Sequence, residues 1–300
     1  MEPFIVNAKT DLYAILGDPI SHSMSPVIHN NAFRRFGMDK VFLAMRCDPK
    51  HVDEMMRSLK FMNLKGYVFT MPLKEMVFSY MDEVKDEAEI TGAINCVQNE
   101  NGRLIGYNTD SRGFWTAVAS RNVKNRPINR VFILGMGGFA KAAAAQAALQ
   151  GVKEIVAVNR MEETAYVESF RAFVRRLQKK APQSTVRLLD WDPTLWKEEL
   201  AGADVVANAT PNGLNCDGDL YLQFPYEYAN PEAIFFDAIY TPLKTKFLEK
   251  AQQLGHPISD GLDLLSHQGV CSFKIWTGKD VEPEQMRQDG LRFIRNHTNL

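Results

Sequence analysis

The run RVFILGMGGFAKAAAAQAALQGVKEIVAVNR, residues 130–160, contains the clearest structural signal in the chain. It begins with an apolar strand over 130–134, passes through a glycine cluster into an alanine-rich helix over 139–150, and ends in a second apolar strand over 154–158. Short apolar runs separated by a helix indicate two parallel strands joined by a crossover helix. Similar alternation on both sides of this run predicts an α/β fold with largely parallel sheets.

The turn after the first of these strands carries the pattern G-x-G-x-x-A. Gly135, Gly137 and Ala140 occupy its fixed positions, and Gly138 adds a further glycine. Glycine lets the backbone turn tightly and approach a pyrophosphate, while the helix N-terminus supplies oriented N–H groups with a partial positive charge. Glycine also serves such turns for conformational reasons alone. The strand before the cluster and the helix after it favour a Rossmann dinucleotide site for NAD or NADP.

The choice between NAD and NADP is expected at the end of the next strand. There an acidic residue selects the free ribose of NAD, and an arginine favours the 2′-phosphate of NADP. The sequence offers both, since Asn159 and Arg160 are followed by Met161, Glu162 and Glu163. The two glutamates are also typical of the first turn of a helix, where the dipole favours acids. Cofactor preference therefore stays open, with NAD slightly favoured by Glu162.

Length and composition set the limits of the interpretation. Three hundred residues are about twice the usual length of one domain and predict two domains or one large one. The hydrophobic fraction of 45% excludes extensive disorder. A formal net charge of -1 removes the electrostatic attraction that non-specific nucleic-acid binding requires. The four cysteines form no C-x-x-C pair and predict no metal site, and without a secretory leader or membrane span the chain is expected to be cytoplasmic.

Other elements follow from the same patterns. One helix is expected to begin with Ser25 as its N-cap and Pro26 at its first position. The join between two domains is placed near residues 111–115, and a polar connection follows over 120–129. Further strands are predicted at 13–16, 41–45, 66–71, 204–209 and 233–240, and C-terminal helices at 263–277 and 283–297.

Small polar groups are concentrated in a few segments of the first third of the chain. Ser23 and Ser25 lie at a helix start, where hydroxyls can hold a carboxylate or simply cap the helix. Thr70 and Lys74 follow an apolar strand, at the end where open α/β sheets bind ligands. Further segments, Gly92 to Asn95 and Gly106 to Asp110, place an amide and a carboxylate at turns, which Asn and Asp also form without any function.

Taken together, these segments resemble the shikimate dehydrogenase family over nearly the whole chain. The resemblance rests on motifs in family order and at family-like spacing: Gly17-x-Pro19-Ile20-x-His22-Ser23-x-Ser25-Pro26, Gly66-x-x-x-Thr70-x-Pro72-x-Lys74, Gly92-Ala93-x-Asn95, Gly106-x-Asn108-Thr109-Asp110, the Gly135 cluster, Tyr240-x-Pro242, Asp260 to Gln268, and Trp276-Thr277-Gly278. The Trp-Thr-Gly ending and the acid two residues after Asn-Arg are most similar to the quinate/shikimate dehydrogenase branch.

The resemblance implies an NAD(P)-dependent oxidoreductase that interconverts shikimate, quinate or both with their 3-dehydro forms. It implies a catalytic pair, Lys74 and Asp110. It implies substrate contacts through Ser23, Ser25, Thr70, Asn95, Asp110, Tyr240 and Gln268, and a cofactor site at Gly135, Gly137, Gly138, Ala140, Asn159, Arg160, Glu162, Thr210 and Gly261. Ser23, Ser25 and Tyr240 would bind the substrate carboxylate, and the other substrate residues its ring hydroxyls.

The resemblance also implies an α/β architecture of two domains with a cleft between them. Residues 1–112 and 263–300 would form the substrate domain and residues 113–262 the Rossmann domain. The expected partner is a small molecule rather than nucleic acid or a membrane, and the family allows a homodimer. Two alternatives stay open: a related dehydrogenase for another small ring acid, and a non-catalytic ligand sensor. Retention of both Lys74 and Asp110 argues against the sensor, since a pure binder needs no proton-transfer pair.

The chemistry of that pair follows from the reaction. Reduction of a ring ketone by hydride transfer leaves an alkoxide that must be protonated, and oxidation requires the reverse. A lysine beside a carboxylate, partly removed from water, is suited to both directions. Three departures from the family pattern bear on activity: Val68-Phe69 before the threonine, Ser111 after Asp110, and Asp263 where the family has glycine. Asp263 is expected to add bulk and charge beside the nicotinamide.

Overall fold

The computed structural model describes residues 5–62 and 64–297. Its strands are β1 (Asp11–Gly17), β2 (Lys40–Arg46), β3 (Leu64–Phe69), β4 (Glu83–Val84), β5 (Cys96–Glu100), β6 (Arg103–Tyr107), β7 (Arg130–Leu134), β8 (Glu154–Asn159), β9 (Thr185–Asp190), β10 (Val205–Asn208), β11 (Ile234–Asp237) and β12 (Ile258–Ser259). Its helices are α1 (Ser25–Arg35), α2 (Val52–Phe61), α3 (Leu73–Met76), α4 (Asp86–Thr91), α5 (Thr109–Arg121), α6 (Gly138–Leu149), α7 (Thr164–Lys180), α8 (Pro193–Ala201), α9 (Leu220–Gln223), α10 (Lys246–Gln253), α11 (Gly261–Thr277) and α12 (Pro283–His297).

The chain divides into two compact units. The discontinuous unit comprises the chain up to Thr109 together with Leu265 onward, and the central unit comprises Asp110–Leu264. The junctions fall inside α5 and α11, each of which runs from one unit into the other. The outermost parts of the predicted substrate domain, residues 1–4 and 298–300, lie outside the described residues.

The central unit holds a six-stranded parallel sheet in the order β12-β11-β10-β7-β8-β9. Residues 131–134 of β7 are fully buried, as expected for a strand covered on both faces. Its core includes Phe132, Trp196 and Phe235. The predicted strand over 233–240 is too long, because β11 ends at Asp237 and Tyr240 follows in the loop.

The discontinuous unit holds a mixed sheet in the order β2-β1-β3-β5-β6-β4. Its β5–β6 pair is an antiparallel hairpin that the strand predictions missed. Asn101 and Gly102 connect the two strands with φ of 54° and 93°. An Asn-Gly pair between alternating residues is the usual signal for this tight turn, so the hairpin was readable from the sequence.

The C-terminal helices pack against the first sheet of the same unit. Trp276 of α11 lies over Gly66, where an added Cβ would come within 2.4 Å of the indole nitrogen. The indole N–H donates to the Val97 carbonyl at 3.0 Å. On α12, Asp289 pairs with Arg35 of α1 at 2.7 Å. The hydrogen bond between Trp276 and Val97 alone joins segments that are 179 residues apart.

Candidate functional site

The glycine turn has the geometry that a phosphate-binding loop needs. Gly135 has φ of 103°, a conformation that favours glycine, and an added Cβ would lie 3.0 Å from Cγ2 of Thr210. At Gly137 and Gly138 an added Cβ would meet no described atom within 4 Å. No side chain in the described chain caps the start of α6. Its first N–H groups are therefore directed to an external anion or to water.

The end of β8 carries an ion pair that the sequence interpretation missed. Arg160 pairs with Glu163 at 3.2 Å, and Glu163 also accepts a hydrogen bond from Nδ2 of Asn159 at 3.0 Å. Glu162 is exposed. Helix α7 begins only at Thr164, so the two glutamates precede the helix instead of filling its first turn. The spacing of three residues between Arg160 and Glu163 is the signal that could have indicated the pair.

The carboxyl ends of β10 and β11 carry two fully buried polar residues, Asn208 and Asp237. Their side chains hydrogen-bond at 3.1 Å. Burial raises the pKa of Asp237 to about 7, against the lowering effect of its hydrogen bonds with Thr245, Asn208 and the backbone of Ile239. Neither residue was among the predicted site residues, although polar residues that end apolar strands are a recognisable signal at this edge of a parallel sheet.

Thr210 and Tyr240 lie in the loops that follow these two strands. The Thr210 backbone N–H donates to Oδ1 of Asn208 at 3.0 Å. Tyr240 is half-buried, and burial raises the pKa of its hydroxyl. Both residues, like the glycine cluster, belong to the central unit.

Asp263 makes hydrogen bonds and an ion pair that the sequence analysis did not predict. Its carboxylate accepts from the Asp260 N–H at 3.3 Å, while Asp260 accepts from the Asp263 N–H at 2.9 Å, which together form a capping box at the start of α11. Arg121 of α5 pairs with the same carboxylate at 2.6 Å. Nearby Gly261 must be glycine, because a Cβ there would lie 2.4 Å from the Ala238 carbonyl oxygen. The charge of Asp263 is thus paired with Arg121, and its carboxylate is fixed by hydrogen bonds in the first turn of α11.

A buried hydrogen-bond network in the discontinuous unit links two of the predicted substrate residues. Asn95 donates to Oγ1 of Thr109 at 2.9 Å and accepts from the Thr109 backbone N–H at 2.6 Å. Oγ1 of Thr109 also lies 3.4 Å from Oε1 of Gln268 and 3.2 Å from Oγ of Ser272. Thr109 therefore joins Asn95, the residue before β5, to the helix α11. Thr109 was not among the predicted site residues, although the motif Gly106-x-Asn108-Thr109-Asp110 contains it.

Asp110 follows Thr109 in the first turn of α5, and not in a turn as the sequence analysis predicted. The same network that holds Thr109 therefore fixes the backbone from which the Asp110 side chain projects.

Ser23 and Ser25 sit at the start of α1. Helix α1 begins at Ser25 itself, with Met24 as the N-cap, so the prediction of Ser25 as N-cap is wrong by one position. Oγ of Ser23 accepts from the Ser25 N–H at 3.3 Å, so Ser23 performs the local hydrogen bonding that Ser25 was expected to provide. Ser25 is buried and Ser23 half-buried.

Thr70 and Lys74 follow β3. A Cβ on Gly17 would come within 2.3 Å of Cγ2 of Thr70, so glycine there makes room for the threonine. Lys74 is half-buried on the short helix α3. Its backbone carbonyl accepts from the Ile94 N–H at 2.8 Å, which ties this helix to the residue preceding Asn95.

The described residues contain neither a candidate metal site nor a membrane-spanning helix. Residues 5–62 and 64–297 contain no group of His, Cys, Asp and Glu side chains that could hold a metal ion. Across the same ranges, no helix combines the length and apolar character that crossing a membrane requires.

Comparisons with known proteins give a consistent result. Residues 15–97 match the family model of the shikimate dehydrogenase substrate binding domain, and residues 261–288 match the shikimate 5′-dehydrogenase C-terminal domain. A shikimate dehydrogenase (NADP(+)) from Desulforamulus reducens is 32% identical over 282 residues, 94% of this chain and 95% of that relative.

Solved structures agree with these matches. The crystal structure of shikimate 5-dehydrogenase from Listeria monocytogenes, in complex with shikimate and NAD, is 33% identical with a TM-score of 0.86, covering 94% of this chain and 97% of that one. A 5-ketofructose reductase from a Gluconobacter strain is 27% identical with a TM-score of 0.82, covering 94% and 98%. The predicted two-domain α/β fold with a Rossmann-like domain is confirmed. The chain belongs to the shikimate dehydrogenase family and is an oxidoreductase.

Proposed function

We propose that this chain interconverts shikimate and its 3-dehydro form with NAD or NADP, and accepts quinate as a second substrate. The observation that carries the proposal is the buried network of Asn95, Thr109 and Gln268. It brings two amides together beside Asp110, the residue assigned to proton transfer. Amides held rigidly in this way are suited to orienting the hydroxyls of a small polyol.

The number of donor hydrogens that the two amides leave unused supports their assignment to the ring hydroxyls of the substrate. An amide NH2 has two donor hydrogens. Within the described chain, Asn95 uses one on Thr109, and Gln268 uses one on the Leu265 carbonyl at 2.9 Å. Each amide keeps a second N–H for a substrate oxygen. Thr70 would contribute a further hydroxyl, and Ser23, Ser25 and Tyr240 would bind the carboxylate.

Lys74 and Asp110 are the proposed proton-transfer pair. In the oxidation the Lys74 amine takes the proton of the reacting hydroxyl, and in the reduction it returns that proton to the alkoxide oxygen. Asp110 orients the amine and stabilises its protonated form. A bound dinucleotide supplies the hydride acceptor or donor.

The residues present fit a dinucleotide. The open backbone at Gly137 and Gly138 and the uncapped start of α6 would hold the pyrophosphate. Asn159, Arg160 and Glu162 would face the adenosine ribose at the end of β8, and the Thr210 and Gly261 segments would border the nicotinamide. Ala140 packs without exposed surface at the helix start, which allows close helix–strand contact.

We infer that NAD is favoured over NADP because acids stand at the ribose end of the site. Arg160 is paired with Glu163, and Glu162 adds an exposed carboxylate. We expect Glu162→Thr to raise kcat/KM for NADP about tenfold relative to NAD, since a like charge beside a phosphate is removed. The matched control is Glu168→Thr, which removes an exposed acid of α7 that pairs with Arg171. An unchanged cofactor ratio in Glu162→Thr would contradict this role.

The proposed function is tested by kcat/KM for shikimate and quinate, each with NAD and NADP, followed through the absorbance of the reduced cofactor. We expect turnover of shikimate with at least one cofactor. The likeness to a 5-ketofructose reductase makes a related dehydrogenase the second candidate, so 5-ketofructose with the reduced cofactors is included. Turnover of 5-ketofructose alone would replace the proposal with that candidate. Tight binding without turnover of any compound would favour the ligand sensor.

A further inference from the structure

The buried pair of Asn208 and Asp237 lies between two loops of the central unit. The two residues are direct partners in the parallel register of β10 and β11 and are the last residues of those strands. Nδ2 of Asn208 donates to Oδ2 of Asp237 at 3.1 Å. Neither side chain has exposed surface, so water does not substitute for the bonds they make.

Asn208 holds the loop that contains Thr210. Its Oδ1 accepts from the Thr210 N–H at 3.0 Å and from the Thr210 hydroxyl at 2.6 Å. Its Nδ2 donates to the Asn212 carbonyl at 3.0 Å as well as to Asp237. All four hydrogen bonds available to an asparagine amide are therefore made. The loop cannot shift without breaking at least one of them.

Asp237 holds both ends of the segment that contains Tyr240. Its Oδ1 accepts from the Ile239 N–H at 3.0 Å, and its Oδ2 accepts from the Thr245 hydroxyl at 2.7 Å. Thr245 in turn caps α10 by accepting from the Leu248 N–H. One carboxylate thus touches the start and end of the Tyr240 segment and, through Asn208, the Thr210 loop.

Burial of a carboxylate lowers the stability of a protein unless its interactions offset the lost hydration, so packing alone does not explain Asp237. Within the described chain, three neutral donors face Asp237 and no cation pairs with it. Well-packed apolar residues usually stabilise a core at least as well as a buried charged group. The retained carboxylate is better explained by a requirement to fix the two loops relative to each other.

We propose that Asp237 is a positioning residue that, together with Asn208, holds the Thr210 loop and the Tyr240 segment in one arrangement, so that binding of the dinucleotide and of the substrate carboxylate depends on the same buried pair. The inference rests on the proposed function for the roles of Thr210 and Tyr240. It adds two residues to that site which contact neither ligand.

The protonation of Asp237 gives this arrangement a pH dependence. The charged and titratable groups that influence it are Asp260, whose charge raises the pKa further, and Tyr226, whose own pKa Asp237 raises. Below a pH of about 7 the carboxyl gains a proton. Of its three neighbours only the Thr245 hydroxyl can accept from the protonated carboxyl, and it does so by giving up its own donation, so the bonds that hold the two loops are rearranged and weakened. Ligand binding should weaken as the pH falls from 8 to 6.

The test is a titration of Asp237→Asn, which keeps the shape but replaces an acceptor by a donor. We expect the Kd for NAD and the Kd for shikimate both to rise about tenfold, because a small displacement of ligand-binding groups has an effect of about this size. We also expect the pH dependence of both Kd values between pH 6 and 8 to disappear. The control is Asp204→Asn, which alters a half-buried acid just before the amino end of β10. There Asp204 accepts from the N–H groups of Asn129 and Arg130. Its Kd values should stay unchanged.

A second pair of variants covers the case in which Asp237→Asn does not fold. Thr245→Ser keeps the hydroxyl that donates to Asp237, and Thr245→Val removes it in nearly the same volume. We expect the valine variant to weaken both Kd values and the serine variant to leave them unchanged. Unchanged Kd values with a lower fraction of folded protein would overturn the inference. Because Kd for NAD requires no turnover, failure of the proposed reaction would be seen separately, in the wild-type kinetics.

Discussion

Lys74→Ala is expected to lower kcat by ~10²-fold or more while substrate binding is mostly retained. The substitution removes the amine that we propose exchanges a proton with the reacting hydroxyl. It leaves the backbone carbonyl of residue 74 in place to accept from the Ile94 N–H, so α3 and the neighbouring Asn95 should keep their positions. Steady-state kinetics give kcat, and a titration with shikimate in the absence of cofactor gives Kd.

Lys60→Ala is the matched control for this experiment. Lys60 is an exposed lysine of the same unit that pairs with Asp82 at 3.3 Å, and its loss should leave kcat within about twofold, as is usual for an exposed ion pair. Asp110→Asn should lower kcat as well, since the proposed proton-transfer pair would lose its carboxylate. Undiminished turnover in Lys74→Ala would refute the proton-transfer assignment.

Local sequence was sufficient to predict the first strand–helix–strand region of the central unit. The β7–α6–β8 region followed from apolar runs, a glycine turn and an alanine-rich helix, and no observed bound differs from the predicted one by more than one residue. Such elements are specified by neighbours within the same stretch of chain. The Asn-Gly turn of the β5–β6 hairpin was equally local, and it was overlooked because the surrounding residues were interpreted as isolated turns.

Long-range partners explain most of what the sequence did not reveal. The hydrogen bond between Thr109 and Gln268 spans 159 residues, and the ion pair between Arg121 and Asp263 spans 142. Periodicity and motif spacing contain no information about such pairs. For Asp263 the sequence did not reveal that its added charge takes part in a capping box and in an ion pair with Arg121.

His29 is expected to make the stability of the protein fall as the pH is lowered from 7.5 to 4.5. Its ring is fully buried, stacks on Phe42 at 4.7 Å and lies 5.2 Å from the Trp276 ring. Neither ring nitrogen has a hydrogen-bond partner among the described residues. Burial therefore lowers the pKa of His29 from 6.5 to about 3. Below pH 6.5 the unfolded chain binds a proton that the folded chain excludes.

The sign of the effect follows from this difference in proton binding. A depressed folded-state pKa means that the contribution of His29 to stability is complete above pH 6.5 and is lost as the pH falls towards 3. At pH 4.5 the loss of unfolding free energy is about 3 kcal/mol, because this pH lies two units below the ordinary pKa of 6.5 and each unit corresponds to about 1.4 kcal/mol. His29→Phe should remove this loss. It should also stabilise the protein at neutral pH, because two buried polar atoms without partners disappear.

The measurement is the difference in unfolding free energy between His29→Phe and the wild type at pH 7.5 and at pH 4.5. Other titrating groups are present in both proteins, so their contributions cancel in that difference. Asp237 is one of them, and its raised pKa favours the folded state at low pH. The difference should be larger at pH 4.5 by about 3 kcal/mol. His51→Gln is the matched control, because it replaces a histidine whose ring is exposed. An equal difference at the two pH values for His29→Phe would contradict this prediction, because it would show that the folded protein binds a proton at His29 as readily as the unfolded chain does.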